Sequence, residues 1–223
     1  MRVRQPGVIL YGVPTSTTSL SNPSAIYAYI GVGYVGNGSI QAYQGLRAGH
    51  APVTATFHVT PNTVAELTDS TGVLDTVRTA VVPSQSGIYY TPTSVASGGV
   101  GYHPVGAGSS TTTVAISGFV SLPASTGTVV SAPTIGASTS QVGAGLQTSL
   151  YVGFGAPVPA NDTLTVRSLK PTVLVAADSV THVGADSAKV KLSTGATYSY
   201  IYVAGLEGVV NDSAQLVLSI PGF

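Results

Sequence analysis

The chain has no cysteine and no tryptophan, a single methionine, and only 8 Lys+Arg and 8 Asp+Glu in 223 residues. Each scarcity excludes something. Without thiols there is neither a disulfide framework nor a thiolate metal centre. Charged residues make up 7% of the chain, where ordinary domains carry about a quarter, so the surface must be covered by something other than ions. The basic residues are scattered singly and the net charge is zero; with no cluster to displace counterions from a phosphate backbone, nucleic acid is not an expected partner. No apolar run approaches the ~18 residues of a spanning helix, so no helical membrane segment is expected. The opening MRVRQPGVILYGVP is broken by Gly7, Gly12 and Pro14, too short for a signal-peptide core. It predicts a chain made in the cytosol or a mature fragment. Helical periodicity is confined to Thr63–Leu67 and Leu74–Arg78, enough for one turn at most.

What fills the chain instead is 26 Ser, 27 Thr and 27 Gly, which keep a protein of positive mean hydropathy (+0.37) wettable without ions. Between them run β-branched and aromatic stretches punctuated by turn residues every ~8–12 positions, the rhythm of a sandwich or barrel. The expected class is all-β, a β-sandwich/barrel of one large or two small domains with extended arm or linker segments. The boundaries expected are an N-terminal arm at 1–14, a β domain at 15–122, a Ser/Thr/Gly-rich linker or arm at 123–145, and a second small β domain at 146–223. Strands are expected at Gly7–Tyr11, Ala25–Tyr34, Ser39–Gln44, Val53–Val59, Val77–Val82, Ile88–Tyr90, Thr111–Val120, Thr128–Ser131, Ser149–Phe154, Thr163–Leu169, Thr172–Ala176 and Ser213–Ile220. Asn37-Gly38 predicts a type I′ hairpin turn between the second and third.

The clearest pattern is Ala188–Val203, AKVKLSTGATYSYIYV. Val190 and Leu192 alternate with Lys189 and Lys191, Ser193–Ala196 supplies a turn, and Thr197–Val203 continues as a second strand, which together predict a β-hairpin. Tyr198, Tyr200 and Tyr202 share one face of that strand; Ile201 and Val203 can fill the core from the other. The tyrosine row is therefore expected to point outward, as a subunit interface or a sugar platform. Tyr27 and Tyr29 repeat the spacing, and the five are the candidate interface residues.

Signals for chemistry are thin. Gly31-Val32-Gly33-Tyr34-Val35-Gly36 matches GxGxxG in letters, but no helix follows and no acidic residue lies ~20 positions on, so no dinucleotide site and no cofactor is expected. The four histidines, His50, His58, His103 and His182, share no ligand spacing. Asp178 and Asp186, with His182 between them, are the best metal candidate, and calcium would suit two carboxylates, although the spacing lacks an ordered Ca²⁺-loop pattern. Asp69 and Asp75 are weaker candidates. Only two glutamates exist, Glu66 and Glu207, in opposite halves, and no serine sits in GxSxG; no catalytic residue is expected and the chain reads as a non-enzyme. Asn37, Asn161 and Asn211 are glycosylation sequons only if the chain is secreted.

Low charge, absent cysteine, a Ser/Thr/Gly-rich β rhythm and the apolar LVLSIPGF tail together resemble the accessory structural proteins of tailed-bacteriophage virions, of the head decoration or cement type. The resemblance is of composition and strand rhythm along the whole chain and carries no site residue across. It implies a homo-oligomer, often a trimer, made in the host cytoplasm and bound to a major capsid or other shell protein. The alternatives are an extracellular carbohydrate-binding or adhesin module using a tyrosine platform, or a tail, filament or surface-layer subunit.

Overall fold

The computed structural model describes residues 3–34, 36, 38–123 and 125–223. The architecture is all-β, and the chain divides into two compact units, Met1–Ser131 and Ala132–Phe223.

The first unit contains β1 (Pro6–Tyr11), β2 (Ser16–Thr18), β3 (Ser24–Tyr34), β4 (Ser39–Tyr43), β5 (Val53–Thr60), β6 (Ala65–Thr68), β7 (Val77–Val82), β8 (Val100–Pro104), β9 (Gly108–Ile116), β10 (Val120–Ser121) and β11 (Ser125–Ser131). One sheet runs β10-β1-β3-β8-β6 with β4 also paired to β3; the other runs β2-β11-β9-β5-β7. The strands form because their residues alternate. In β5, Ala55, Phe57 and Val59 are fully buried while Thr54, Thr56, His58 and Thr60 face solvent, so one face supplies hydrophobic burial and the other hydroxyls. Val8, Leu10, Ile26 and Ile30 meet this layer from the opposite sheet in one core. Tyr102 is buried within it and its phenol satisfies itself on the Ser110 hydroxyl at 2.7 Å.

Three expectations change here. Residues 1–14 are not a free arm: β1 pairs with β3 over its whole length and in parallel with β10, and Val8 and Leu10 are core residues. The stretch 123–145 is not a linker from its start, because β11 pairs antiparallel with β9 and parallel with β2. Its threonines are structural: Thr128 is buried and donates its hydroxyl to the Pro14 carbonyl at 2.6 Å. At the start of Thr63–Leu67 the chain makes one turn, the Val64 and Ala65 N–H groups both donating to the Pro61 carbonyl, and Ala65–Thr68 then runs on as strand β6, paired with β8 out of the glycine-rich Ser97–Ser110 stretch. The Ile88–Tyr90 strand is reduced to a single bridge, Tyr29 to Tyr90. The expected Asn37-Gly38 turn lies partly outside the described residues, Asn37 and Val35 being among those left out, although β3 and β4 do pair antiparallel.

The second unit contains β12 (Ile135–Ala137), β13 (Gln147–Phe154), β14 (Asp162–Ser168), β15 (Val173–Ala176), β16 (Ser187–Leu192), β17 (Tyr198–Gly205) and β18 (Leu216–Ser219). Its sheets are β12-β13-β17-β15 and β16-β14-β18. A separate core joins them, with Leu150, Val152, Ile201 and Val203 from one sheet and Leu164, Val166 and Leu192 from the other. The expected hairpin at Ala188–Val203 is a crossing between sheets instead. Strand β16 pairs with β14 while β17 pairs with β13 and β15. The turn between them is anchored elsewhere: the Gly195 N–H donates to the Val158 carbonyl at 2.7 Å, and the Val158 N–H to the Ala196 carbonyl at 2.9 Å. Both strands keep the expected apolar face, since Val190 and Leu192 meet Ile201 and Val203 across the sandwich rather than beside it.

Candidate functional site

In the first unit the outward face of β1, β3 and β4, with the adjoining residues 89 and 90, carries six tyrosines in ring contact among the described residues. Antiparallel pairing of β1 with β3 sets Tyr11 beside Tyr27 and Ile9 beside Tyr29. Pairing of β3 with β4 sets Tyr43 opposite Gly31. Between the β8 and β4 contacts, β3 is completed by residues 89–91: the Ile30 N–H donates to the Tyr89 carbonyl, the Thr91 N–H to the Ala28 carbonyl, and the Ala28 N–H to the Thr91 hydroxyl. This brings in Tyr89 and Tyr90.

Tyr29 is the hub. Its ring centre lies 5.0 Å from Tyr11 (edge-on, 88°), 5.6 Å from Tyr27 (83°), 5.1 Å from Tyr43, 5.7 Å from Tyr89 and 5.6 Å from Tyr90 (70°). Edge-to-face contacts place the positive ring edge on the negative face, each adding ~0.5–1.5 kcal/mol beyond burial. Tyr43 and Tyr89 stack at 5.4 Å, and the phenols of Tyr11 and Tyr43 are hydrogen-bonded at 3.0 Å. That bond, then burial, pushes the Tyr43 phenol up to about 12, and burial followed by the neighbouring phenols raises Tyr29. Both shifts favour the neutral phenol at the centre of the face. Gly31 makes room for the hub's neighbour: a Cβ there would strike the Ala42 carbonyl and stand 2.9 Å from the Tyr43 Cα.

The second unit has a smaller counterpart. Tyr198 and Tyr200 point outward from β17, 53% and 52% exposed, as Ile201 and Val203 turn into the core. They contact Tyr151 of β13, which lies 5.8 Å from each. Tyr202 is only partly buried on the same face but lies opposite Ser149, away from that ring trio.

Of the five expected interface residues, Tyr27 and Tyr29 thus sit in the larger face and Tyr198, Tyr200 and Tyr202 on the smaller. Missing from that expectation were Tyr11, Tyr43, Tyr89, Tyr90 and Tyr151. Tyr11 alternates with Leu10 and Val8 and so carried a local signal for facing outward; the others depend on long-range register.

The metal candidate separates. The Asp178 carboxylate closes on its own loop, accepting the backbone N–H groups of Val180 at 3.0 Å, Thr181 at 2.7 Å and His182 at 3.2 Å, the Thr181 hydroxyl, and the His182 Nδ1 at 2.6 Å. The Thr181 hydroxyl above all holds its carboxyl well below the usual range. Asp186 instead serves through its backbone carbonyl, which accepts the Ser168 N–H. Among the described residues no group of three His, Cys, Asp or Glu side chains is placed to hold an ion. Asp69 and Asp75 flank Arg78 at 3.5 and 3.4 Å, and that guanidinium donates to the Val73 carbonyl at 2.6 Å, so the trio clamps its own loop.

No known protein family and no curated protein matches the chain. Among solved structures it is similar to a two-domain protein of unknown function from Bacteroides fragilis (TM-score 0.34, 7% identity, 90% of this chain and 88% of that one). It is also similar to Escherichia coli alpha-2-macroglobulin activated by porcine elastase (TM-score 0.27, 12% identity, 99% of this chain and 22% of that one).

Proposed function

We propose that the chain is a non-enzymatic structural protein that works by burying uncharged, tyrosine-bearing sheet faces against further copies of itself and against a shell protein, as a virion decoration or cement subunit would. The observation that carries this is the six-tyrosine face. Tyrosine offers large amphipathic area with few rotamers to freeze, and is enriched where subunits meet while charge is depleted. Here the rings are already fixed by one another, so little side-chain freedom remains to be lost on contact.

A second reading gains from one finding. Residues 6–11 and 125–131 belong to the chain's own sheets, so they are not arms that a lattice would have to order. Two compact β units in succession also suit an extracellular adhesin or carbohydrate-binding module, with the same rings as stacking platform.

Hydroxyl-radical footprinting across a protein concentration series discriminates the two. Self-contact is expected to lower oxidation of Tyr11 and Tyr43, which are 38% and 45% exposed, several-fold as concentration rises, with no added ligand. Protection that appears only with a glycan, and not with concentration, would replace the structural reading by the second.

A further inference from the structure

A different part of the molecule ends in an open sheet edge. In the second unit a cleft of about 770 Å³ opens among Leu150 and Val203 of one sheet, Leu216 and Leu218 of the other, and residues 138–144. Leu150 and Val203 are core residues, 4% exposed, so the cleft leads to the interior of the sandwich. Two features of its walls concern the backbone. Strand β18 is the end strand of its sheet, with β14 as its one neighbour there among the described residues. The Leu169 N–H bond to the Gln215 carbonyl fixes the phase of that pairing, so Val217 and Ser219 exchange bonds with β14. Leu216 and Leu218, the residues that line the cleft, then turn their N–H and C=O groups to the free edge. In the 138–144 wall, among the described residues, no N–H from Thr139 to Gly143 donates to a backbone carbonyl, while the Gly143 carbonyl accepts the Leu146 N–H at 3.0 Å.

A groove that two half-buried leucines line and the free peptide groups of β18 edge specifies its occupant. Backbone groups seek partners, and a strand edge offers them at the spacing of another strand. Leu216 and Leu218 are partly buried against the core, and the cleft between them and Leu150 suits aliphatic side chains at alternate positions of that strand. The walls include one carboxylate, Asp212, which is held by the Lys170 ammonium at 2.6 Å and the Thr172 hydroxyl at 2.8 Å; no unpaired charge asks for a charged ligand.

We infer that this cleft is a strand-acceptor site, which binds an extended uncharged peptide, aliphatic at alternate positions, by completing the sheet beside β18. It stands apart from the tyrosine faces and does not depend on the structural reading above.

The test is amide hydrogen exchange on the full chain with an acetylated, amidated peptide of alternating threonine and valine, against a control with every valine replaced by serine. The expected result is exchange slowed at least ~10-fold at Leu216, Leu218 and residues 139–143 with the valine peptide alone. Leu218→Pro, which removes an N–H the β14 ladder does not use, is expected to abolish that protection while β14 amides stay slow. Unchanged exchange at millimolar peptide, protection confined to other residues, or equal protection by the serine control would each overturn the inference.

Discussion

Gly31→Val is expected to destabilise the first unit by about 3 kcal/mol, roughly 10 °C in Tm, and to disperse the tyrosine face while the sandwich core persists. The new side chain would collide with the Ala42 carbonyl and the Tyr43 backbone, and the Ile40 side chain would stand 2.7 Å from its Cβ. These are contacts with β4, and backbone cannot swing aside as a side-chain tip can. The strand must leave β3, taking Tyr43 away from Tyr11, Tyr29 and Tyr89. The core residues Ile26, Phe57 and Val114 lie away from β4, and Ile30, next to Gly31, turns to the opposite, buried face. Denaturant unfolding gives the stability, and near-ultraviolet circular dichroism, which reports fixed tyrosine rings, is expected to lose most of its intensity. Native stability with an unchanged spectrum would mean that β4 does not lie against Gly31 and that the six-ring face is wrongly built.

The other large effect lies in the second unit. Leu164→Ala removes a fully buried side chain from the centre of β14, at the junction of Val166, Leu150 and Ile201 in the second core. Lost transfer energy and the cavity together cost about 2–5 kcal/mol. The two cores share no residue, so the loss is expected to appear in β13, β14 and β17 alone. Residue-resolved hydrogen exchange should show those amides opening 30-fold or more faster, while β5 and β9 keep wild-type protection. Uniform acceleration across β5, β9 and β14 would show a single cooperative body instead of two units.

These outcomes bear on how far the fold was legible from sequence. Alternation reads a strand's faces directly, because side chains point to opposite sides with a period of two. Hence β5, with Phe57 in and His58 out, and β17, with Ile201 in and Tyr200 out, are visible in the letters. Alternation says nothing about the neighbour. The Lys189/Val190 pattern is the same whether β16 folds back on β17 or crosses to the other sheet, and the decisive contact, Gly195 with Val158, spans a distance no local window covers. Strand β11 was legible only in its second half, Thr128–Ser131, and its place in the first sandwich was hidden for a related reason. Its inward positions include Thr128, a hydroxyl satisfied by Pro14 far earlier in the chain, so burial there carries no hydrophobic signature. The candidate site shows the same division. Tyr27 and Tyr29 announce an outward row, but the hub around Tyr29 depends on β1, β4 and residues 89–91 arriving in register, which only the assembled sheet reveals. Asp178 and Asp186 looked like a pair because they are near in sequence; local N–H groups compete for Asp178 and win.

The claim that these faces serve assembly is tested most directly by the mass of the full chain in solution, measured by multi-angle light scattering over a wide concentration series. A discrete multiple of the 22.3 kDa chain, growing in with concentration and lost in the Gly31→Val variant, is the predicted result. A monodisperse 22.3 kDa species at every concentration would contradict it.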